Sequence, residues 1–314
     1  MQDKISEEYD KIIKENAKFL KKWVLDTREK KVNILKNIMI TIGIIYLWLL
    51  CILFMAVWNF IFIIIFFIIT LKKIYDWNKK TEIYQEKVVK PLIKRLEFVD
   101  EVNMKNGISQ TIYNQANFKD SQYEKYYKWH YITGHLNNAK IEMSKVRTYN
   151  QYKDSEGHVT TKTIFRGLLV VATLNTNVTN ENIHIFNDKD DSRILNFKQS
   201  EEKVNMDSAM FEKQFDVYST NPIKAFQILT ADIMEKLILE KENMNCQYDI
   251  SIINNMIIMR IHDKGDIFEI RHLDGKNKTI YGKDLKKTIV EDVKFVEYIL
   301  NFMNELSNNI YNKI

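Results

Sequence analysis

The sequence predicts an α+β protein: an N-terminal helix, a transmembrane helical hairpin, then a cytosolic domain with a mainly antiparallel sheet and flanking helices. Three observations lead to this prediction. An uncharged run extends from Ile38 to Leu71. Strand-like segments between 129 and 272 cluster together rather than alternating with helices, which favours an antiparallel α+β fold. Residues 284–313 carry apolar side chains at helical spacing.

The order of these features predicts four segments. They are an amphipathic cytosolic helix at 1–32, the two-helix transmembrane hairpin at 33–78, a stalk helix and linker at 79–104, and the cytosolic α+β domain at 105–314. In the first segment Ile5, Tyr9 and Ile12 recur at three- to four-residue spacing, as on one face of a helix. We expect this helix to pack on the stalk. The alternative is that this helix and the stalk helix each pack on the α+β domain instead.

The uncharged run is too long for one straight membrane helix. As a single helix it would measure about 51 Å at ~1.5 Å per residue, whereas the hydrocarbon core of a bilayer is about 30 Å thick. Two helices, at 33–55 and 58–78, therefore fit better, with the turn at Trp58 and Asn59. Lysines flank both ends and the turn has none, so the positive-inside rule predicts two spans of the inner membrane with both termini cytoplasmic. The alternative is a hairpin buried in a protein core.

The third segment and the domain contain the expected regular elements. The strands are expected at 129–136, 139–149, 160–174, 182–186, 250–253, 256–261 and 267–272. The helices are expected at 79–97, 109–117, 121–127, 222–229, 232–243 and 284–313. Asn254 and Asn255 separate two apolar runs, which is typical of a two-residue β-hairpin turn. Asn221 before Pro222 is typical of a helix start.

The sequence contains no recognisable catalytic or cofactor motif. The six histidines lack the His-Glu-x-x-His spacing of a zinc site, so we expect no metal and no cofactor. The acidic loop 187–191 lacks the glycine and final glutamate of a calcium loop. His262, Asp263, Asp266 and His272 are a weaker ligand set, for which solvated charges at a hairpin end are the simpler interpretation. If the protein were an enzyme, Asp216 or Glu212 would be candidate acids.

Two longer motifs carry a family resemblance. Residues 165–175 read FRGLLVVATLN, and residues 211–237 read FEKQFDVYSTNPIKAFQILTADIMEKL. The chain resembles the bacterial membrane proteins grouped as domain of unknown function 3137, from residue 80 to about 272. This resemblance implies the architecture and supplies no catalytic residues. The motif positions, which we interpret as structural, are Phe165, Gly167, Phe211, Phe215, Tyr218, Ala225, Leu229, Met234 and Leu237.

These observations predict a membrane-anchored binding or regulatory module rather than an enzyme. The alternative is a subunit of a transport or envelope complex, and an enzyme acting near the membrane is a third hypothesis. The expected partners are the lipid bilayer and a membrane protein. The net charge of +5 is explained by the membrane flanks, so no nucleic acid is expected. Cys51 and Cys246 cannot form a disulfide framework, so no disulfide-linked partner is expected.

Overall fold

The computed structural model describes residues 2–17, 40, 42–43, 56–118, 122–136, 138–153, 157–187, 201–262, 264, 266–268 and 283–313. The chain divides into two compact units. The small unit comprises Met1–Leu92 with Ile270–Glu291, and the sheet unit comprises Ile93–Glu269 with Asp292–Ile314.

The small unit is helical where it is described. It contains α1 (Gln2–Glu15) and α2 (Ala56–Tyr84), which continues through a π-helical turn (Gln85–Val89) into α3 (Lys90–Ile93). The Tyr9 and Tyr84 side chains lie next to each other, and Asn16 Nδ2 donates to the carbonyl oxygen of Lys87 at 3.4 Å. Both tyrosines are buried, so these contacts join α1 to the end of α2.

The predicted transmembrane hairpin at 33–78 is wrong, because within the described residues no helix is both long and apolar enough to traverse a bilayer. The assignment to the inner membrane, with two spans and both termini cytoplasmic, is corrected with it. The uncharged part of α2, residues 56–71, measures about 24 Å at ~1.5 Å per residue, which is less than the ~30 Å hydrocarbon core, and Lys72 and Lys73 follow. Trp58 and Asn59, the predicted turn, lie within α2. Apart from 40, 42 and 43, the first predicted span (33–55) lies outside the described residues.

The sheet unit contains a nine-stranded sheet among its described residues. The strands are β1 (Val99–Asn103), β2 (Lys125–Leu136), β3 (Ala139–Lys153), β4 (Val159–Leu174), β5 (Thr179–Asn187), β6 (Glu202–Val204), β7 (Phe215–Ser219), β8 (Tyr248–Asn254) and β9 (Met256–His262). Their spatial order is β1-β2-β3-β4-β9-β8-β5-β7-β6. Every neighbouring pair is antiparallel, which confirms the predicted α+β sheet.

Strand β4 lies at the centre of the core. It pairs with β3 along its length and with β9 over residues 167–173. Residues 168–172 are all buried. Because successive side chains of a strand point to opposite faces, both faces of the sheet are covered here. At Gly167 an added Cβ would lie 1.9 Å from the carbonyl oxygen of Ile261, so the β4–β9 pairing requires a glycine at this position.

Five helices of the described chain accompany the sheet. They are α4 (Gln110–Gln115), α5 (Ala209–Glu212), α6 (Pro222–Ile228), α7 (Ala231–Met244) and α8 (Lys283–Tyr311). The predicted start of α6 is confirmed, since the Asn221 side chain accepts a hydrogen bond from the Lys224 amide and Pro222 opens the helix. The apolar stripe of α8, including Val293 and Val296, is buried.

Two local predictions differ from the structure. The helix expected at 121–127 is wrong, because Lys125 already belongs to β2 and pairs with Tyr149 of β3. Pairing with a long neighbouring strand has overridden a weak local pattern there. In the strand expected at 267–272, residues 267 and 268 form a turn instead, and residues 269–272 lie outside the described part.

Candidate functional site: an amide-lined cleft

A polar cleft lies beside α4 in the sheet unit. Its volume is about 470 Å³, within the range of about 300–1,000 Å³ that is typical of small-molecule sites. Five of its seven lining side chains are carboxamides and none is charged. The lining residues are Thr111, Asn114, Gln115, Asn117, Asn182, Ile253 and Asn254.

Helix α4 provides one wall of the cleft and is fixed at both ends. The Ser109 hydroxyl accepts a hydrogen bond from the Ile112 amide at 3.3 Å and caps the first turn. Tyr113 is fully buried and lies in a group of aromatic rings, with centroids 5.5–6.0 Å away. Asn117, just after the helix, has a φ of +48°. Asparagine tolerates this left-handed conformation better than most residues.

The β8–β9 hairpin and β5 form the opposite side. The predicted hairpin with its turn at Asn254 and Asn255 is confirmed. Asn254 has a φ of +53°, and its carbonyl oxygen accepts a hydrogen bond from the Val178 amide at 2.9 Å. Ile253 supplies an apolar floor, and Asn182 comes from β5.

Most of the hydrogen-bonding capacity of this lining is unused. Within the described residues, no side-chain hydrogen bond engages Thr111, Gln115, Asn117 or Asn254. Asn114 Oδ1 accepts from the Tyr123 hydroxyl at 2.6 Å, which leaves its amide group available. A carboxamide offers two donor hydrogens and an acceptor oxygen. The cleft can therefore donate to and accept from a polar molecule without carrying a charge.

A buried hydrogen-bond chain links the two walls of the cleft. The Ser251 hydroxyl donates to the carbonyl oxygen of Ala116 at 2.6 Å. His184 contacts the same hydroxyl through Nδ1 at 2.8 Å and Glu201 Oε1 through Nε2 at 3.2 Å. Asn182 Nδ2 donates to that carboxylate oxygen at 3.2 Å. Since Ala116 adjoins Asn117 and Asn182 lines the cleft, the chain fixes both walls in one geometry.

The serine, histidine and glutamate of this chain are not arranged for nucleophilic catalysis. The side chains of His184 and Glu201 are fully buried, and so is Ser251. The Ser251 hydroxyl donates its one proton to the carbonyl oxygen of Ala116, so that proton is not directed at His184. A nucleophile must instead be accessible and activated by a base that takes its proton.

A second buried polar cluster fixes the end of the same hairpin. Arg260 Nε donates to Asp249 Oδ2 at 2.6 Å, and His262 Nε2 lies 2.9 Å from that oxygen. The Asn187 amide donates to Asp249 Oδ1 at 2.9 Å. Burial alone would raise the pKa of Asp249, but Arg260, His262 and the Asn187 amide hold it well below its usual range. This carboxylate is fully engaged inside the protein.

The candidate catalytic and metal-binding residues lie elsewhere or outside the described part. Asp216 pairs with Lys203 at 2.6 Å, and Glu212 accepts from the Met206 amide at 2.6 Å. Neither lines the cleft. In the acidic loop, residues 188–191 lie outside the described part, as do Asp263 and His272. Among the described residues, no group of three or more His, Cys, Asp or Glu side chains could hold a metal ion.

The motif residues lie in the core of the sheet unit. Tyr218 is half-buried, with its ring 6.0 Å from that of Phe186. The others are buried: Phe165, Gly167, Phe211, Phe215, Ala225, Leu229, Met234 and Leu237. None lines the cleft. The sequence gives little sign of the cleft-lining residues, because isolated asparagines resemble ordinary loop residues. The cluster of carboxamides at 114–117 is the one local signal of the cleft.

The fold and cleft define a class: an α+β protein whose antiparallel sheet carries an uncharged, amide-lined cleft. Residues 163–307 match the model of the family described as "Protein of unknown function (DUF3137)". The predicted resemblance is thus confirmed over this stretch, which begins and ends later than expected. It includes Asn182 and Asn254 but not α4.

Two further comparisons concern whole chains. The crystal structure of the mycobacterial trehalose monomycolate transport factor A, TtfA, aligns with a TM-score of 0.32 and 7% identity, covering 64% of this chain and 88% of that one. A similarity this low supports no argument about function. No curated protein matches the sequence.

Proposed function

We propose that the protein is a binding module that holds a small, uncharged polar molecule in the amide-lined cleft. The observation that carries the proposal is the convergence of unengaged side chains from α4 and the β8–β9 turn on one cleft. Polar groups that a ligand would cover need partners, since each unsatisfied one costs about 1–3 kcal/mol. A ligand bearing its own donors and acceptors meets that need.

The absence of charge in the lining argues for an uncharged ligand. A phosphate or carboxylate entering the cleft would lose hydration and find no positive side chain among the lining residues. Burying a charge without a counter-charge is far more costly than burying a hydrogen-bonded hydroxyl or amide. Ile253 offers an apolar contact to the carbon skeleton of the ligand.

Binding by the full chain can be measured with a fixed set of probes. Calorimetry with glucose, inositol and N-acetylglucosamine is compared with calorimetry using glucose 6-phosphate and citrate. We expect at least one uncharged probe to bind and the charged ones to bind more weakly. The proposal is overturned if no uncharged probe binds at millimolar concentration.

Matched variants locate the binding site. Asn117→Gly and Asn254→Gly remove a carboxamide while keeping a residue that accepts a positive φ. We expect each to weaken binding by about 2- to 10-fold, corresponding to one net hydrogen bond of about 0.5–1.5 kcal/mol. Asn245→Gly is the control, because Asn245 has a φ of +46° but lies outside the cleft. Equal effects of all three variants would contradict the assignment.

A further inference from the structure

One end of the sheet extends beyond its covered part as a three-stranded arm. The cationic arm comprises residues 125–127 of β2, 147–153 of β3 and 159–166 of β4. Across β2 and β3, each of three successive opposed pairs joins one cation and one aromatic side chain. These pairs are Trp129 with Lys145, Tyr127 with Arg147, and Lys125 with Tyr149. Opposed residues in a sheet share a face, so this face alternates positive charges and rings.

The pairs become exposed toward the tip of the arm. Lys145 is 1% exposed, and its ammonium group donates to the carbonyl oxygen of Ile267 at 2.9 Å. Tyr127 is 51% exposed. Within the described part of the chain, Lys125 and Lys153 make no ion pair. The Arg147 guanidinium donates only to the Thr163 hydroxyl, at 3.1 Å, and lies over the Tyr149 ring. The outer cations are therefore available to an anionic partner.

Within the described residues, no strand lies beside the outer edge of β4 along this arm. Residues 159–165 pair with β3 on one side, but β9 begins to pair with β4 only at Gly167. No described strand pairs with the other side of residues 159–166. An edge of this kind presents backbone donors and acceptors that a further strand can use.

We propose that this edge of β4 receives an acidic, extended segment of a partner protein as an added strand. Such a strand would lie about 4.8 Å from β4, with side chains on one face repeating every ~6.8 Å. Acidic side chains on one face would approach Arg147 and Lys153. Those on the other face would approach Lys162, because successive residues of β4 alternate between faces.

Charge and ring geometry decide between an acidic segment and other occupants. If a second copy of the protein paired through the same edge, the cations of one edge, Lys162 among them, would lie close to the same cations of the other edge and repel them. A single-stranded nucleic acid requires open ring faces on which bases can stack. Tyr149 is already stacked on Tyr127, at 5.5 Å between centroids and 10° between planes, and Arg147 covers it. Tyr127 and Tyr152 are each about half exposed, but they lie on opposite faces of the arm, so successive bases of one strand cannot stack on both rings.

The test uses the full chain and fluorescently labelled decapeptides at physiological salt. One peptide alternates glutamate and threonine, a second replaces the glutamates by lysine, and a third replaces two threonines of the first by proline. We expect the acidic peptide alone to bind, with slower amide hydrogen exchange in residues 159–166. Failure of the acidic peptide to bind at 1 mM would overturn the proposal, as would binding without that protection.

Charge-reversed variants supply the second readout. The double variant K153E/K162E should weaken peptide binding by about tenfold, since surface ion pairs are replaced by like charges. Lys213→Glu, an exposed lysine elsewhere in the unit, should change it less than twofold. Tighter binding of an oligodeoxythymidine than of the acidic peptide would identify a nucleic-acid surface and refute the proposal. Preference for phosphatidylglycerol vesicles would refute it equally.

Discussion

His130 is expected to make the stability of the sheet unit depend on pH. It lies in β2 and is 3% exposed, and its Nδ1 has no hydrogen-bond partner among the described residues. Burial, and secondly the positive charge of Lys145, lower the pKa of His130 to about 3. The histidine is therefore buried neutral, and the cost of charging it opposes the folded state in acid.

The size of this effect follows from proton linkage. The unfolded chain has an ordinary histidine pKa of about 6.5, so between about pH 3 and 6.5 it binds more protons than the folded chain does. His130 therefore costs no stability above pH 6.5, and its cost to the free energy of unfolding grows as the pH is lowered toward 3. The distance from the unfolded pKa of about 6.5 down to pH 5 is about 1.5 pH units. At about 1.36 kcal/mol per unit, His130 therefore lowers the free energy of unfolding by about 2 kcal/mol at pH 5.

The variant His130→Asn isolates this contribution. His130 has a φ of +56°, and asparagine is one of the few residues that tolerate this conformation. Urea unfolding of the full chain at pH 7 and pH 5 gives two free energies of unfolding for each protein. We expect the loss between the two pH values to be about 2 kcal/mol smaller in the variant. Titration of other groups is common to both proteins and cancels.

Two results would refute this reasoning. The first is an equal loss of unfolding free energy in the parent chain and in His130→Asn. The second is an NMR titration in which the imidazole Cε1 proton of His130 shifts with a midpoint near pH 6.5. A midpoint well below pH 5 is expected instead, and this measurement requires no unfolding.

Three further predictions concern the core, and all can be measured by urea unfolding at pH 7. Asp249→Asn should lower the free energy of unfolding by about 3–5 kcal/mol, because the buried guanidinium of Arg260 loses its counter-charge. Glu291→Gln is the comparison: it breaks the exposed pair of Glu291 with Lys287 and should lower the free energy of unfolding by at most about 1 kcal/mol. A similar loss in both would contradict the buried pair. Leu237→Ala should lower the free energy of unfolding by about 2–5 kcal/mol, because it leaves a cavity in the core. Met210 is 67% exposed, so Met210→Ala should change the same free energy by no more than about 0.5 kcal/mol. Gly167→Ala should weaken β4–β9 pairing, seen as faster amide exchange in β9; unchanged exchange would contradict the close backbone approach.

The strongest local patterns correctly predicted the sheet unit. The apolar run at 160–174 became β4, the paired asparagines marked the β8–β9 turn, and the stripe at 284–313 became α8. Each of these signals comes from neighbouring residues, whose alternation or helical spacing is set by backbone geometry alone. The hydrophobic run at 38–71 predicted a transmembrane hairpin, because hydropathy and length were its only signals. Within the described residues the uncharged part of α2 extends only from Ala56 to Leu71 before Lys72 and Lys73, too short to span a membrane.

The sequence by itself determined the α+β class, the family resemblance and most elements of the sheet unit, because these depend on periodicity and short motifs. Only the tertiary structure decided which polar residues meet. Thr111 and Asn254 are far apart in the chain, and pairing in the sheet brings α4 beside the end of β8. Likewise, among the described strands β9 pairs with β4 only from Gly167 onward, whereas β3 pairs with β4 from Val159, so residues 159–166 have a described neighbour on one side alone. Long-range pairing sets both features, and no local pattern encodes it.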